Sequence, residues 1–211
     1  EDLKKFNAGK VEMIVADLNT DEGLKLLKPV CSNIDILVNN NDGPPPGNFL
    51  NTKKADWLSA IESNMLSAIS LTQYALPGMK KRNFGRIINI TSAMVKSPNP
   101  LMSLSTAARA GLTAVAKGLS KEVAINNVTI NNLLPERFDT DRQVFMTNLL
   151  MKSKKITREE ARAEITSSIA ANRFGNPKEF GATCSFLCSI HAGFISGQNI
   201  QLDGGSYDGL I

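Results

Sequence analysis

Ile34-Asp35-Ile36-Leu37-Val38 is a short apolar run, and the loop Asn39-Asn40-Asn41-Asp42-Gly43-Pro44-Pro45-Pro46-Gly47 follows it directly. A run of this length, stopped by turn residues, predicts a buried strand with a sharp exit. The same unit recurs on both sides. Upstream, Val11-Glu12-Met13-Ile14-Val15-Ala16 stops at Asp17 and predicts another buried strand, and Asp21 to Leu27 predicts a short helix that Pro29 ends. Downstream, Leu58, Ile61, Met65, Ile69, Leu76 and Met79 follow helical spacing, and Arg86-Ile87-Ile88-Asn89-Ile90 predicts a third strand after Gly85. An alanine-rich helix over 103–125 leads to a strand over Val128 to Leu134, which Pro135 ends. A charged helical region over 141–171, a helix over 178–190 and a short strand over Asn199 to Leu202 complete the chain. Strands alternating with helices predict a parallel sheet covered on both faces.

The 211 residues fit one α/β domain, and 42% hydrophobic with 21% charged residues allows one sizeable core. The net charge of +4 comes from short basic pairs such as Lys53-Lys54 and Lys154-Lys155, so solvated helix ends are expected and no nucleic-acid partner. Three cysteines, Cys31, Cys184 and Cys188, argue against a disulfide scaffold and fit a cytoplasmic setting. No apolar run is long enough to cross a bilayer, and no membrane partner is expected. Cys184, Cys188 and His191 fall at helical spacing, yet no fourth ligand accompanies them and no metal is expected.

A doubly wound, Rossmann-like dinucleotide fold opens with strand, glycine-rich turn and helix, and no such turn occurs here. Residues 1–8 read as the tail of a helix. The expectation is therefore a single dinucleotide-binding domain over 1–211 that lacks its first βαβ unit. Within it, 138–170 would be a lid over one end of the sheet.

From Asp17 to the C-terminus the motifs resemble the short-chain dehydrogenase/reductase family, in the subgroup labelled 3-oxoacyl carrier-protein reductase-like. The resemblance rests on Asp35-Ile36-Leu37-Val38-Asn39-Asn40, Asn64, Asn89-Ile90-Thr91-Ser92, Ala110-Gly111-Leu112, Pro135 with Thr140, and Asp203-Gly204-Gly205. It implies that Asp17 meets the adenine ring, and that Asn39, Asn40, Asp42, Arg109, Pro135 and Thr140 bind NAD or NADP. It implies catalytic positions at Asn64, Ser92, Ser105 and Arg109. The family's tyrosine falls on Ser105 and its lysine on Arg109. Its Asn-Asn-Ala-Gly turn ends here in Asn41-Asp42, and its Pro-Gly becomes Pro135-Glu136.

The usual tyrosine is a general acid whose pKa a lysine lowers. Serine cannot be tuned in that way, and an arginine stays protonated. Two functions remain open. One is an NAD(P)-dependent oxidoreductase for a small carbonyl or alcohol substrate, with Ser92 and Ser105 holding the oxygen, Arg109 supplying positive charge, and the proton coming from a water near Asn64. The other is a catalytically silent dinucleotide-binding sensor or a scaffold. A homodimer or homotetramer is expected from the resemblance.

Overall fold

The computed structural model describes residues 9–210. Four strands, β1 (Ile36–Asn39), β2 (Gly85–Ile90), β3 (Val128–Pro135) and β4 (Asn199–Leu202), form one sheet in that order, parallel throughout. Parallel neighbours require crossovers. These are α2 (Lys54–Ile61) with α3 (Ser67–Arg82), then α4 (Ser103–Val123), then α5 (Asp141–Lys154), α6 (Arg158–Ser167) and α7 (Pro177–Cys188). The helix α1 (Asp21–Cys31) precedes β1.

Strand side chains alternate between two cores. Ile87, Val128 and Ile130 pack with Leu71, Ala75, Met79 and Ala116 of α3 and α4. Ile88 and Leu133 face the other way, onto Leu187, Phe180 and Cys184 of α7. Each of the larger aliphatic side chains contributes about 1.5–3 kcal/mol when fully buried. Two asparagines in the left-handed region, Asn83 (φ 51°) and Asn127 (φ 53°), end α3 and the turn after α4. The Asn127 carbonyl then accepts from Gly85 N and from the buried Arg86 side chain, which locks the start of β2.

A ladder of asparagines crosses the sheet. Asn39, Asn89, Asn132 and Asn199 sit in register on four adjacent strands. Asn39 Nδ2 donates to Asn89 Oδ1 (2.9 Å), Asn89 Nδ2 to Asn132 Oδ1 (3.0 Å) and Asn132 Nδ2 to Asn199 Oδ1 (2.7 Å). These three amide-to-amide bonds offset much of the cost of burying Asn39, Asn89 and Asn132 and pin the register.

Several expectations need correction. Residues 11–16 form no strand: Met13 and Val15 are 87% and 84% exposed. A strand needs a ladder partner, and none of the described strands pairs with this segment. The helix α1 runs through Pro29 to Cys31. The proline forfeits one bond, to the Lys25 carbonyl, on an exposed turn, and the Ser32 and Asn33 side chains donate to the proline's own carbonyl. The helix expected across 58–79 is interrupted by a π-turn over Glu62–Leu66, and the 141–171 region splits where Lys155 turns left-handed (φ 55°) and Thr157 caps α6. α7 stops at Cys188, so His191 sits exposed in a separate turn and shares no helical face with the cysteines. The helix tail expected at residues 1–8 lies outside the described residues.

Candidate active site

The C-terminal ends of the strands are where open α/β sheets bind ligands. A cavity of about 710 Å³ opens there. Its floor comes from Asn40, Ser92 and Pro135 at the ends of β1, β2 and β3. The helix α4 contributes Ser105 and Arg109 to one wall, and the first turns of α5 contribute Arg142 and Met146 to another. A smaller, largely apolar recess adjoins it, lined by Asn39 and Asn64 among Leu18, Leu71 and Leu112, and sharing Asn40, Asn41 and Arg109 with it.

The loop after β1 is stitched to the π-turn by a reciprocal pair of amides. Asn41 Nδ2 donates to the Ser63 carbonyl (2.9 Å), and Asn64 Nδ2 donates to the Asp42 carbonyl (3.0 Å). The widened turn, with Ser67 N–H reaching back to the Glu62 carbonyl, presents the buried Asn64 side chain to the loop. π-turns of this kind recur at functional sites.

Arg109 clamps the assembly. Its Nε donates to Asn64 Oδ1 (2.9 Å), one terminal nitrogen to the Thr91 carbonyl, and the other to the Asn41 carbonyl (3.3 Å). All three acceptors are neutral. Burial and the nearby Arg142 charge pull its pKa below the ordinary arginine value, and Asp42 opposes them. The loop passes close over this group. A Cβ placed on Gly43 would lie 3.2 Å from Arg109 Nη2 and 3.8 Å from both Asn64 Oδ1 and Ser105 Oγ. A side chain there would crowd the Arg109 guanidinium, and glycine avoids that.

Ser92 lies at the mouth of β2, where its Oγ accepts from Met94 N (3.2 Å) and caps a short 3₁₀ turn. Its O–H remains available to donate. Ser105 is buried in the cavity wall, and its hydroxyl makes no hydrogen bond among the described residues. Asp42 faces the cavity rim, its carboxylate accepting from Gly43 N (2.8 Å). Thr140 caps α5 through its carbonyl, while its hydroxyl donates to the Phe138 carbonyl (3.3 Å). Asp17 is exposed, turns the chain into α1 and lines neither cavity. Asn39 spends its amide nitrogen on the sheet ladder, and its buried Oδ1 finds no partner among the described residues. The expected site residues other than Asp17 thus converge on two adjoining cavities.

A model of the family described as enoyl-(acyl carrier protein) reductase matches residues 7–207. The chain is also 33% identical over 193 residues to the NADPH-dependent reductase BacG of Bacillus subtilis, covering 91% of this chain and 74% of that protein. The chain belongs to the short-chain dehydrogenase/reductase family. Within that family it is 32% identical to the 3-oxoacyl-[acyl-carrier-protein] reductase FabG of Haemophilus influenzae, covering 98% of this chain and 83% of that one. The crystal structure of YwfH, an NADPH-dependent reductase involved in bacilysin biosynthesis, superposes with a TM-score of 0.90 at 30% identity over 99% of this chain and 82% of that chain. Among the described residues no group of three His, Cys, Asp or Glu side chains could hold a metal.

Three residues of this short-chain dehydrogenase/reductase site escaped the sequence. Arg142 lies in a charged helix with a weak apolar stripe, where nothing marks an inward arginine. Arg137 adopts a left-handed backbone (φ 56°) and bonds Ser168 and the Ile165 carbonyl, tying the end of β3 to α6. Glu136 stands out in sequence only as a replaced glycine. In the fold it lines the cavity, pairs with Arg137 (3.3 Å), and has its pKa raised by burial.

Proposed function

We propose that this protein is an NAD(P)-dependent oxidoreductase that interconverts a small carbonyl compound and its alcohol, with Ser92, Ser105 and Arg109 in place of a tyrosine-based site. The observation that carries the proposal is the unpartnered Ser105 hydroxyl in the same cavity as Ser92 and Arg109. The dinucleotide fits on the chain's own features. The cavity volume falls within the range of about 300–1,000 Å³ usual for ligand sites. The orphaned Asn39 Oδ1 in the adjoining recess lacks a donor that a ligand could supply. Asn40, Asp42, Pro135 and Thr140 would hold the nicotinamide half, and Asp17 the adenine end.

A bound nicotinamide dinucleotide supplies hydride to the carbonyl carbon or takes it from the alcohol. The protein's part is to hold the oxygen. Ser92 and Ser105 donate hydrogen bonds to it, and Arg109, with two N–H groups left after its three contacts, sets a fixed positive charge beside the developing alkoxide. The proton that completes the alcohol comes from water in the open cavity. Asn64 is a positioning residue, because its oxygen and both amide hydrogens are engaged by Arg109, Asp42 and Ser63. Loss of a dedicated general acid lowers the rate by about 10²–10⁴-fold, which leaves a slow enzyme.

The same proposal includes the lid over 138–170, supported by Arg142 and Met146 facing the cavity from α5. It also includes a single domain, supported by the one parallel sheet that β1 to β4 share. Free thiols support a cytoplasmic setting. Exposed Val115 and a 410 Å³ cavity between α3 and α4 support a homodimer or homotetramer, which light scattering would test. Titration with NADPH and NADH, followed by nicotinamide fluorescence, tests the central proposal. Saturable micromolar binding supports it, and absence of binding to both would favour a scaffold.

A further inference from the structure

We infer that the cavity takes a carbonyl compound bearing a carboxylate, held by Arg142 while its carbonyl lies against Ser92, Ser105 and Arg109. The inference rests on the oxidoreductase proposal above and names the substrate class of that site.

Three arginines line the cavity, and they differ in how their charges are met. Arg137 is paired with Glu136 at 3.3 Å. Arg109 bonds only the Asn64 amide oxygen and two backbone carbonyls. Arg142 makes one hydrogen bond, from Nη2 to the Pro44 carbonyl at 3.3 Å, and stacks 5.7 Å from the Phe145 ring centre. Neither Arg109 nor Arg142 has a carboxylate partner among the described residues. Two guanidinium groups without ion pairs therefore share one cavity, close enough that the Arg142 charge depresses the Arg109 pKa.

Like charges facing one another across a partly desolvated space are unfavourable, and an anion between them reverses the sign of the interaction. The acids nearby leave Arg142 unmet. Asp42 partly offsets the Arg109 charge but is turned onto Gly43 N, Glu136 is taken by Arg137, and Asp141 is exposed. Arg142 keeps most of its five N–H donors free, in the fork geometry that matches a carboxylate. Its place at the second residue of α5 points the same way, since a helix N-terminus favours anions. With Ser92 in the floor and Ser105 in another wall for a neutral oxygen, the cavity offers one site for a carbonyl and another for a negative charge. A dinucleotide phosphate shares the anion's chemistry, so the test separates the two sources.

Pyruvate, acetoacetate and levulinate place the carboxylate at increasing distance from the ketone, and each is compared with its methyl ester. At least one acid should show a KM roughly 10–150-fold below that of its ester, the span of a charge-assisted hydrogen bond. Arg142→Met should bring that ratio close to one, and Arg142→Lys should restore part of it. A calorimetric titration of the preferred acid into protein saturated with oxidised dinucleotide gives a readout without turnover: the acid should bind and the ester should not. Equal KM values for acids and esters would overturn the inference while leaving the oxidoreductase proposal standing. So would an Arg142→Met variant that weakens NADPH binding yet keeps the acid-to-ester ratio, because the anion would then be the dinucleotide's phosphate. If no ketone is reduced, the oxidoreductase proposal fails, and the calorimetric arm alone decides whether the carboxylate site exists.

Discussion

Removing the Arg109 guanidinium as Arg109→Met should destabilise the fold as well as change the site. The side chain donates to Asn64 Oδ1, the Thr91 carbonyl and the Asn41 carbonyl. Asn64 and Thr91 are buried, so two acceptors would lose their donor where water enters poorly, while the Asn41 carbonyl borders the open cavity and can be rehydrated. Each stranded buried acceptor costs about 1–3 kcal/mol, giving roughly 2–6 kcal/mol before relief. The relief is real, because a cation held near Arg142 in a desolvated wall is itself strained, as its lowered pKa shows. A net loss of about 2–4 kcal/mol follows, or a Tm lower by about 4–15 °C for a chain of this size. Arg109→Lys should fall between, since one ammonium cannot span three acceptors in a plane. Ser105→Ala, which removes a hydroxyl with no bonds, should melt within about 2 °C of the parent. Differential scanning calorimetry on the three variants measures this. An Arg109→Met variant that melts with the parent would refute the clamp and leave Arg109 a ligand-binding residue only.

Other consequences follow from single side chains. Glu136 holds its proton more tightly in the folded state because burial raises its pKa, with Asp203 adding to this and Arg137 opposing it. Its stabilising effect is therefore full below the ordinary glutamate value of about 4.3 and is lost as pH rises through the raised folded value. Glu136→Gln should then melt above the parent near neutral pH, with the gain disappearing below about pH 4 in a pH series of thermal melts. Asn89→Ala cuts the sheet ladder in the middle, strands Asn132 Oδ1 and opens a void, and should cost about 2–4 kcal/mol in urea denaturation. The Cys188 thiol is pushed up to about 11, by burial first and by the adjacent Cys184. Iodoacetamide at mildly alkaline pH should modify it far more slowly in native than in unfolded protein, as mass spectrometry would record.

The central sheet was legible in sequence as short runs rich in β-branched and apolar residues, and the structure places β1, β2 and β3 on Ile34 to Val38, Arg86 to Ile90 and Val128 to Leu134. β2 and β3 are buried on both faces, whereas β1, expected to be buried, is covered on one face only, with Ile36 and Val38 exposed. Val11 to Ala16 has a similar composition, but none of the described strands pairs with it, and composition cannot report pairing. Pro29 misled for another reason: a proline weakens a helix without always ending it, and here the helix continues for two more residues on an exposed turn whose Pro29 carbonyl accepts from the Ser32 and Asn33 side chains. At the site, motif order located the strand ends, Asn64, Ser105 and Arg109. The bonds that give those residues their tasks run between segments 18 to 68 positions apart, such as Thr91 to Arg109 and Asn41 to Arg109, and no local pattern encodes them. Arg142 was hidden because its neighbours are polar and its meaning depends on what lies across the cavity.

The claim that Ser92 and Ser105 hold a carbonyl oxygen for reduction is tested most directly by following nicotinamide absorbance during ketone reduction by the parent and by a Ser92→Ala/Ser105→Ala double variant. The parent should turn over slowly, and the double variant should lose about 10²–10³-fold in kcat, as removal of oxyanion donors does elsewhere, a loss much larger than any change in its NADPH affinity. A double variant that reduces the same ketone at the parent's rate would contradict the claim and place the chemistry on other groups.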